Sequence, residues 1–174
     1  MSRGFRANAS GSVVAWALLA VAGVAATSLA GAGSANAYTV YVTNEKGNSV
    51  SVIDSETLAV TGTWKVGRRP RGVTTSKDGK ELFVCASDDD RIDVLDTATG
   101  KVVRSLRSGP DPEQFILGPT GNLLYVANED DSQVTVIDVE KNKVMAEVPV
   151  GVEPEGMGLS PDGKILVNTS ETTN

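Results

Sequence analysis

The residues with the most chemistry in this 174-residue chain lie in a few short runs. Arg68, Arg69 and Arg71 form a basic group. Glu113, Glu153 and Glu155 are acidic and stand near prolines and glycines in similar contexts. Mixed charges of this kind suit a polar ligand or a protein partner; the plainer reading is a set of solvated loops whose Pro and Gly residues steer the chain. Asp88-Asp89-Asp90 and Glu129-Asp130-Asp131 bring carboxylates together. Calcium loops space their acids as D-x-D-x-D-G, so contiguous acids read as solvated turns and no metal site is expected. Cys85 is the single cysteine and sits in an apolar run, which fits a buried, inert thiol. A nucleophilic cysteine needs an activating base, and the chain has no histidine. Histidine ligation of haem is absent for the same reason. No catalytic residue and no cofactor are expected from these residues.

The elements that carry these runs repeat. Tyr41-Val42-Thr43-Asn44-Glu45 returns as Tyr125-Val126-Ala127-Asn128-Glu129, with Phe83-Val84-Cys85-Ala86-Ser87 midway and Val167-Asn168-Thr169-Ser170-Glu171 after it. The interval is 42 residues each time. Val52-Ile53-Asp54, Val94-Leu95-Asp96 and Val136-Ile137-Asp138 keep the same phase, as do Gly67, Gly109, Gly151 and Pro70, Pro112, Pro154. Apolar residues alternate with polar ones within each repeat, the period of a strand. Lys77-Asp78-Gly79-Lys80 and Pro161-Asp162-Gly163-Lys164 read as tight turns with Gly at positive φ. Asp96-Thr97-Ala98-Thr99-Gly100 reads as another, with Asp bonding the turn's backbone.

A period near ~40–45 residues with four strands is that of a propeller blade. The fold class is therefore all-β: a β-propeller of four-stranded antiparallel blades. Inner, second, third and outer strands are placed at 72–76, 81–87, 91–96 and 101–108, giving a complete blade over 72–108 and a second over 113–150. Residues 39–66 supply strands two to four and residues 155–170 strands one and two. Trp64, Val66, Val102, Leu106, Val148 and Val150 fall on outer strands and read as packing between blades. About 3.3 repeats fall short of the ~4–8 blades that close a ring, so the sequence reads as part of a longer chain.

Residues 1–37 differ from the rest. Arg3 and Arg6 precede an apolar run from Val13 to about Ala26, and small residues end at Ser34-Ala35-Asn36-Ala37. This is the pattern of a cleavable secretory signal, cut after Ala37. Beyond it the chain carries 14 basic and 22 acidic side chains, a net charge of −8. That balance excludes nucleic acid and anionic membranes as partners. One cysteine in an exported chain means a fold without bridges.

The tetrapeptide Tyr41-Val42-Thr43-Asn44 resembles the motif that names the YVTN propeller repeats. The loops Val66–Gly72, Val84–Arg91, Gly109–Glu113 and Val150–Met157, with Asn168–Asn174, are similar to those of the periplasmic propellers associated with pyrroloquinoline-quinone-dependent (PQQ-dependent) catabolism. The resemblance implies a bacterial periplasmic binding or scaffold protein, seven-bladed when whole, without catalytic residues. It implies partners among quinoprotein alcohol dehydrogenases and a transporter. On this reading Arg68, Arg69, Arg71, Glu113, Glu153 and Glu155 line the channel mouth. The competing expectation is a redox propeller holding quinone or haem through residues beyond 174. Asp96–Lys101 is similar to a quinoprotein blade turn, but Arg104 stands where such blades carry tryptophan. A cell-surface propeller would need an anchoring segment, and none is visible in the sequence.

Overall fold

The structure is a computed structural model that describes residues 38–172. The secretory-signal expectation falls on residues 1–37 and lies outside the described residues. Among the described residues, no helix is long and apolar enough to cross a membrane.

Among the described residues thirteen strands follow one another: β1 (Thr39–Asn44), β2 (Ser49–Asp54), β3 (Val60–Lys65), β4 (Pro70–Thr75), β5 (Glu81–Ala86), β6 (Arg91–Asp96), β7 (Lys101–Arg107), β8 (Pro112–Leu117), β9 (Leu123–Asn128), β10 (Gln133–Asp138), β11 (Lys143–Pro149), β12 (Pro154–Leu159) and β13 (Leu166–Ser170). They form four antiparallel sheets in chain order: β1–β3, β4–β7, β8–β11 and β12–β13. The complete sheets are four-stranded, as the repeat requires. Each inner strand begins at a proline, Pro70, Pro112 or Pro154, earlier than residues 72 and 113. Proline lacks an amide donor, so it fits the first position of a strand.

Backbone detail repeats with the same period. The register slips between Val52 and Ile53, Val94 and Leu95, and Val136 and Ile137. Positive φ falls at Asn48, Asp90 and Ser132; at Arg69, Asp111 and Glu153; at Leu58, Gly100 and Asn142; and at Gly79, Gly121 and Gly163. The last set serves the strand-one to strand-two turns, where a left-handed residue closes the hairpin without a Cβ clash.

The apolar core lies between sheets. Val50 of the first sheet packs with Leu82, Val84 and Leu95 of the second, with Tyr41, Trp64 and Val66 against them. Phe83, Cys85, Ile92, Val94 and Leu106 pack with Phe115, Leu124, Val126 and Ile137 of the third. Inner strands β4 and β8, and β8 and β12, lie side by side. Blades thus stack face to face around an axis, and the ring is open. Trp64, Val66 and Leu106 pack between blades as expected from the sequence. Val102 and Val148 are 42% and 47% exposed instead. Val148 faces a hollow that no further strand fills among the described residues.

Candidate functional site

Chain reversal at each blade boundary creates the site. The loop from an outer strand to the next inner strand passes through a left-handed residue, Arg69, Asp111 or Glu153. Its carbonyl accepts a hydrogen bond from the amide of Ser87, Glu129 or Glu171 at 2.9–3.2 Å. The Arg69 amide donates to Asn48 Oδ1 at 3.0 Å, and the Asp111 amide to Asp90 Oδ1 at 3.1 Å. The strand-two to strand-three turn of one blade thus holds the entry loop of the next. Gly67 is required by contact: a Cβ there would lie 2.5 Å from Ala86 Cβ and 2.7 Å from Asp89 Oδ2. Its amide donates to the buried Asp93 carboxylate at 2.7 Å.

Two residues after Gly67 and Gly109, and four after Gly67, Gly109 and Gly151, side chains converge on the inner strands. Arg69, together with Arg71 on β4, reaches across to Glu113 on β8, whose side chain is 1% exposed. Arg71 Nε lies 2.5 Å from Glu113 Oε2, and an Arg69 nitrogen pairs with the other oxygen. Arg69 also meets Asp111 at 3.1 Å, Asp88 at 3.5 Å and Glu129 at 3.7 Å. Arg71 meets Glu45 at 3.4 Å and Glu155 on β12 at 3.5 Å. Two guanidiniums therefore tie four successive sheets together. Burial pushes the Glu113 carboxyl up to about 7, against the pull of Arg71 and Arg69; Asp111 and Glu129 raise it further. Beside this network a cavity of about 310 Å³ is lined by Arg71, Glu113, Gln114, Phe115, Glu155 and Met157.

Of the six residues singled out in the sequence, Arg69, Arg71, Glu113 and Glu155 come together here. Arg68 turns outward, 65% exposed, and binds Asp89 at 2.7 Å and the Asp88 carbonyl at 2.6 Å. Asp89 is accordingly 14% exposed and held below the usual carboxylate range, first by the Arg68 amide, so this acidic turn is more than a solvated run. Glu153 makes no ion pair among the described residues; its carbonyl, on a left-handed backbone, accepts from the Glu171 amide. Glu45, Asp111 and Glu129 were not singled out for the site. The signal was available: Arg69 and Asp111 share one repeat phase, Arg71, Glu113 and Glu155 another, and Glu45 and Glu129 a third.

Carboxylate oxygens of Asp111, Glu113 and Glu129 lie within 4.8 Å of one another. Arg69 sits among them and supplies the cation. Asp111 Oδ1 is buried and 3.1 Å from an Arg69 nitrogen, but accepts no hydrogen bond. Cys85 is fully buried, and burial holds its thiol well above the usual range, the state of an unreactive cysteine.

The comparisons agree with this architecture. Hydrazine synthase of Kuenenia stuttgartiensis superposes with a TM-score of 0.72 at 28% identity, over 77% of this chain and 39% of that one. A 6-phosphogluconolactonase-like protein of Bacteroides uniformis superposes with a TM-score of 0.60 at 17% identity, over 75% of this chain and 48% of that one, a likeness of fold alone. The chain spans under half the length of either. No curated protein sequence matches it significantly. The sequence profile of the YNCE-like beta-propellers matches residues 14–117, more than half of the sequence. With its repeat, stacked sheets and boundary loops, the chain belongs to the YNCE-like β-propeller family.

Proposed function

We propose that this is a periplasmic, non-catalytic propeller that binds a partner or small polar ligand over the face carrying Arg69, Arg71 and Glu113. The observation that carries this reading is the buried Glu113 carboxylate clamped by two arginines beside a polar cavity of about 310 Å³. A charged group at 1% exposure is costly to keep, and functional groups concentrate on loops held by a rigid scaffold. The sequence pattern of residues 1–37, that of a cleavable secretory signal, supports export. The loop sequences Gly67–Gly72 and Gly151–Met157 support an association with quinoprotein-dependent alcohol oxidation, with a dehydrogenase or transporter component as partner. Affinity capture from periplasm tests the assignment: wild type retains a quinoprotein or transporter component, and Arg71→Ala loses it. Equal recovery by both proteins, or recovery by neither, refutes it.

A second reading is a redox propeller. It is favoured by the 28% identity to hydrazine synthase over most of this chain. Since the chain has no histidine, a haem would draw its ligands from elsewhere. A visible absorbance spectrum of protein purified from its host decides between the two readings: haem or quinone bands establish the second.

A further inference from the structure

The cavity of about 310 Å³ beside Glu113 is walled by three neighbouring inner strands. Arg71 comes from β4, Gln114 and Phe115 from β8, and Glu155 and Met157 from β12. Phe115 and Met157 make an apolar wall, and the charged side chains face it. Charge, and which groups are already engaged, decide what chemistry fits this space.

Arg71 is the one cation on the lining, and its guanidinium is already paired. It meets Glu113 at 2.5 Å, Glu45 at 3.4 Å and Glu155 at 3.5 Å. An anion entering the cavity would have to displace one of these carboxylates. Around Arg69 and Arg71 together stand six carboxylates, those of Glu45, Asp88, Asp111, Glu113, Glu129 and Glu155. Two guanidiniums cannot neutralise six carboxylates, and the buried Asp111 Oδ1 still accepts no hydrogen bond. The loops on the β8–β12 side of the cavity add no cation. Residues 128–132 and 151–155 bring Glu129, Asp130, Asp131, Glu153 and Glu155, with neither Lys nor Arg. Glu155 is the accessible acid of the lining: its side chain is 37% exposed, against 1% for Glu113. Its single ion pair among the described residues is the 3.5 Å contact with Arg71. Gln114, exposed on β8, adds a neutral amide acceptor.

We propose that this cavity takes an organic cation, an ammonium or guanidinium on a short apolar stem, with its head group on Glu155 and its stem against Phe115 and Met157. The proposal rests on the reading of this face as a binding face and names the chemistry recognised there. A free amine and a lysine or arginine side chain of a partner protein share that chemistry. The placement also couples binding to a proton. Glu113 is faced by Arg69 and Arg71 from β4 and its entry loop, Asp111 from the β8 entry loop, Glu129 from the turn after β9, Glu155 from β12 and the Cys85 thiol from β5. Burial, with the Asp111 carboxylate, holds the Glu113 carboxyl at about 7. A nearby cation favours the ionised form, so Glu113 gives its proton to solvent as the cation enters.

Calorimetric titration of the full-length protein tests this with four probes. n-Butylammonium and a capped lysine tripeptide carry the head group; butyrate and n-butanol are the anionic and neutral counterparts. Saturable binding of the ammonium probes, with a Kd of about 1 mM or below, is expected, and none of butyrate or butanol. The better of the two ammonium probes tells a free amine from a side chain of a partner, and either order supports the proposal. Affinity is expected to be about tenfold higher at pH 8 than at pH 5.5, and Glu113→Gln is expected to remove that slope. Glu155→Gln, at an accessible position, is expected to keep the circular dichroism and weaken the ammonium by about tenfold or more. Equal ammonium affinity in Glu155→Gln and wild type, or a wild-type affinity independent of pH, overturns the proposal. Butyrate bound in preference to the ammonium overturns the cation assignment and leaves the face a binding face. Binding of none of the four, while periplasmic capture still returns a partner, overturns this inference alone; failure of both experiments removes the reading beneath it as well.

Discussion

Arg71 Nε and Glu113 Oε2 approach to 2.5 Å across a blade boundary, and the carboxylate they share with Arg69 is 1% exposed. Three successive inner strands, β4, β8 and β12, are joined through this one group and its neighbour Glu155.

Stability should depend on pH through Glu113. Its folded value of about 7 lies above the ordinary 4.5, so the folded state holds this proton more tightly than the unfolded chain. Compared with Glu113→Gln, the wild type is therefore most stable below about pH 4.5. It loses that advantage as pH rises to about 7, then levels off, with a total swing of up to ~3 kcal/mol. Urea titrations of both proteins between pH 4 and 8 measure the difference; parallel curves would contradict it.

Truncation at the same point should cost more than neutralisation. Glu113→Ala leaves two guanidiniums beside a buried void with their shared acceptor gone, a loss of about 2–4 kcal/mol. Glu113→Gln keeps shape and an acceptor and should cost less. The urea midpoints of the two variants give the order directly.

The entry loop should be intolerant of a single methyl. Gly67→Ala places a carbon 2.5 Å from Ala86 Cβ, and overpacking of this kind costs ~1–3 kcal/mol. Gly158→Ala, where a Cβ meets nothing within 4 Å, is the control and should unfold close to wild type in thermal melts.

Asp93 should behave as a structural acid. At 1% exposure it accepts from the Gly67 amide at 2.7 Å, Arg91 Nε at 2.8 Å and the Ser105 hydroxyl at 3.2 Å. Asp93→Ala strands three donors and should destabilise by roughly 3 kcal/mol. Hydrogen exchange should show the loss concentrated at the Gly67 loop and at β6–β7.

Core truncation should act between blades. Phe83 is 1% exposed and packs in the cluster that joins the second and third sheets. Phe83→Ala should cost about 3–5 kcal/mol, whereas Val103→Ala, on a bulged position 56% exposed, should cost little. Denaturant midpoints separate the two.

Periodicity made the fold legible in the sequence. A strand shows every second side chain to each face, and a blade must bury both faces, so alternating apolar residues returning at 42 positions permit little besides stacked sheets. The same logic placed Gly79 and Gly163 in turns and Asp96 as an acceptor for its own turn's backbone, which in the structure is the Thr99 amide. Arg69, Arg71, Glu113 and Glu155 could be named before any coordinates because they flank the prolines that open inner strands. Which of the charges meet depended on tertiary structure. Arg68 and Arg69 are adjacent in sequence, yet one pairs with Asp89 at the surface and the other reaches a buried carboxylate, since the left-handed turn at Arg69 (φ 50°) aims it toward the axis. Glu129 is 60 residues from Arg69 and looked like a solvated turn; only the stacking of one blade on the next brings it to 3.7 Å. Local pattern is set by side-chain periodicity along the chain, whereas burial and ion pairing are set by which sheet lies against which.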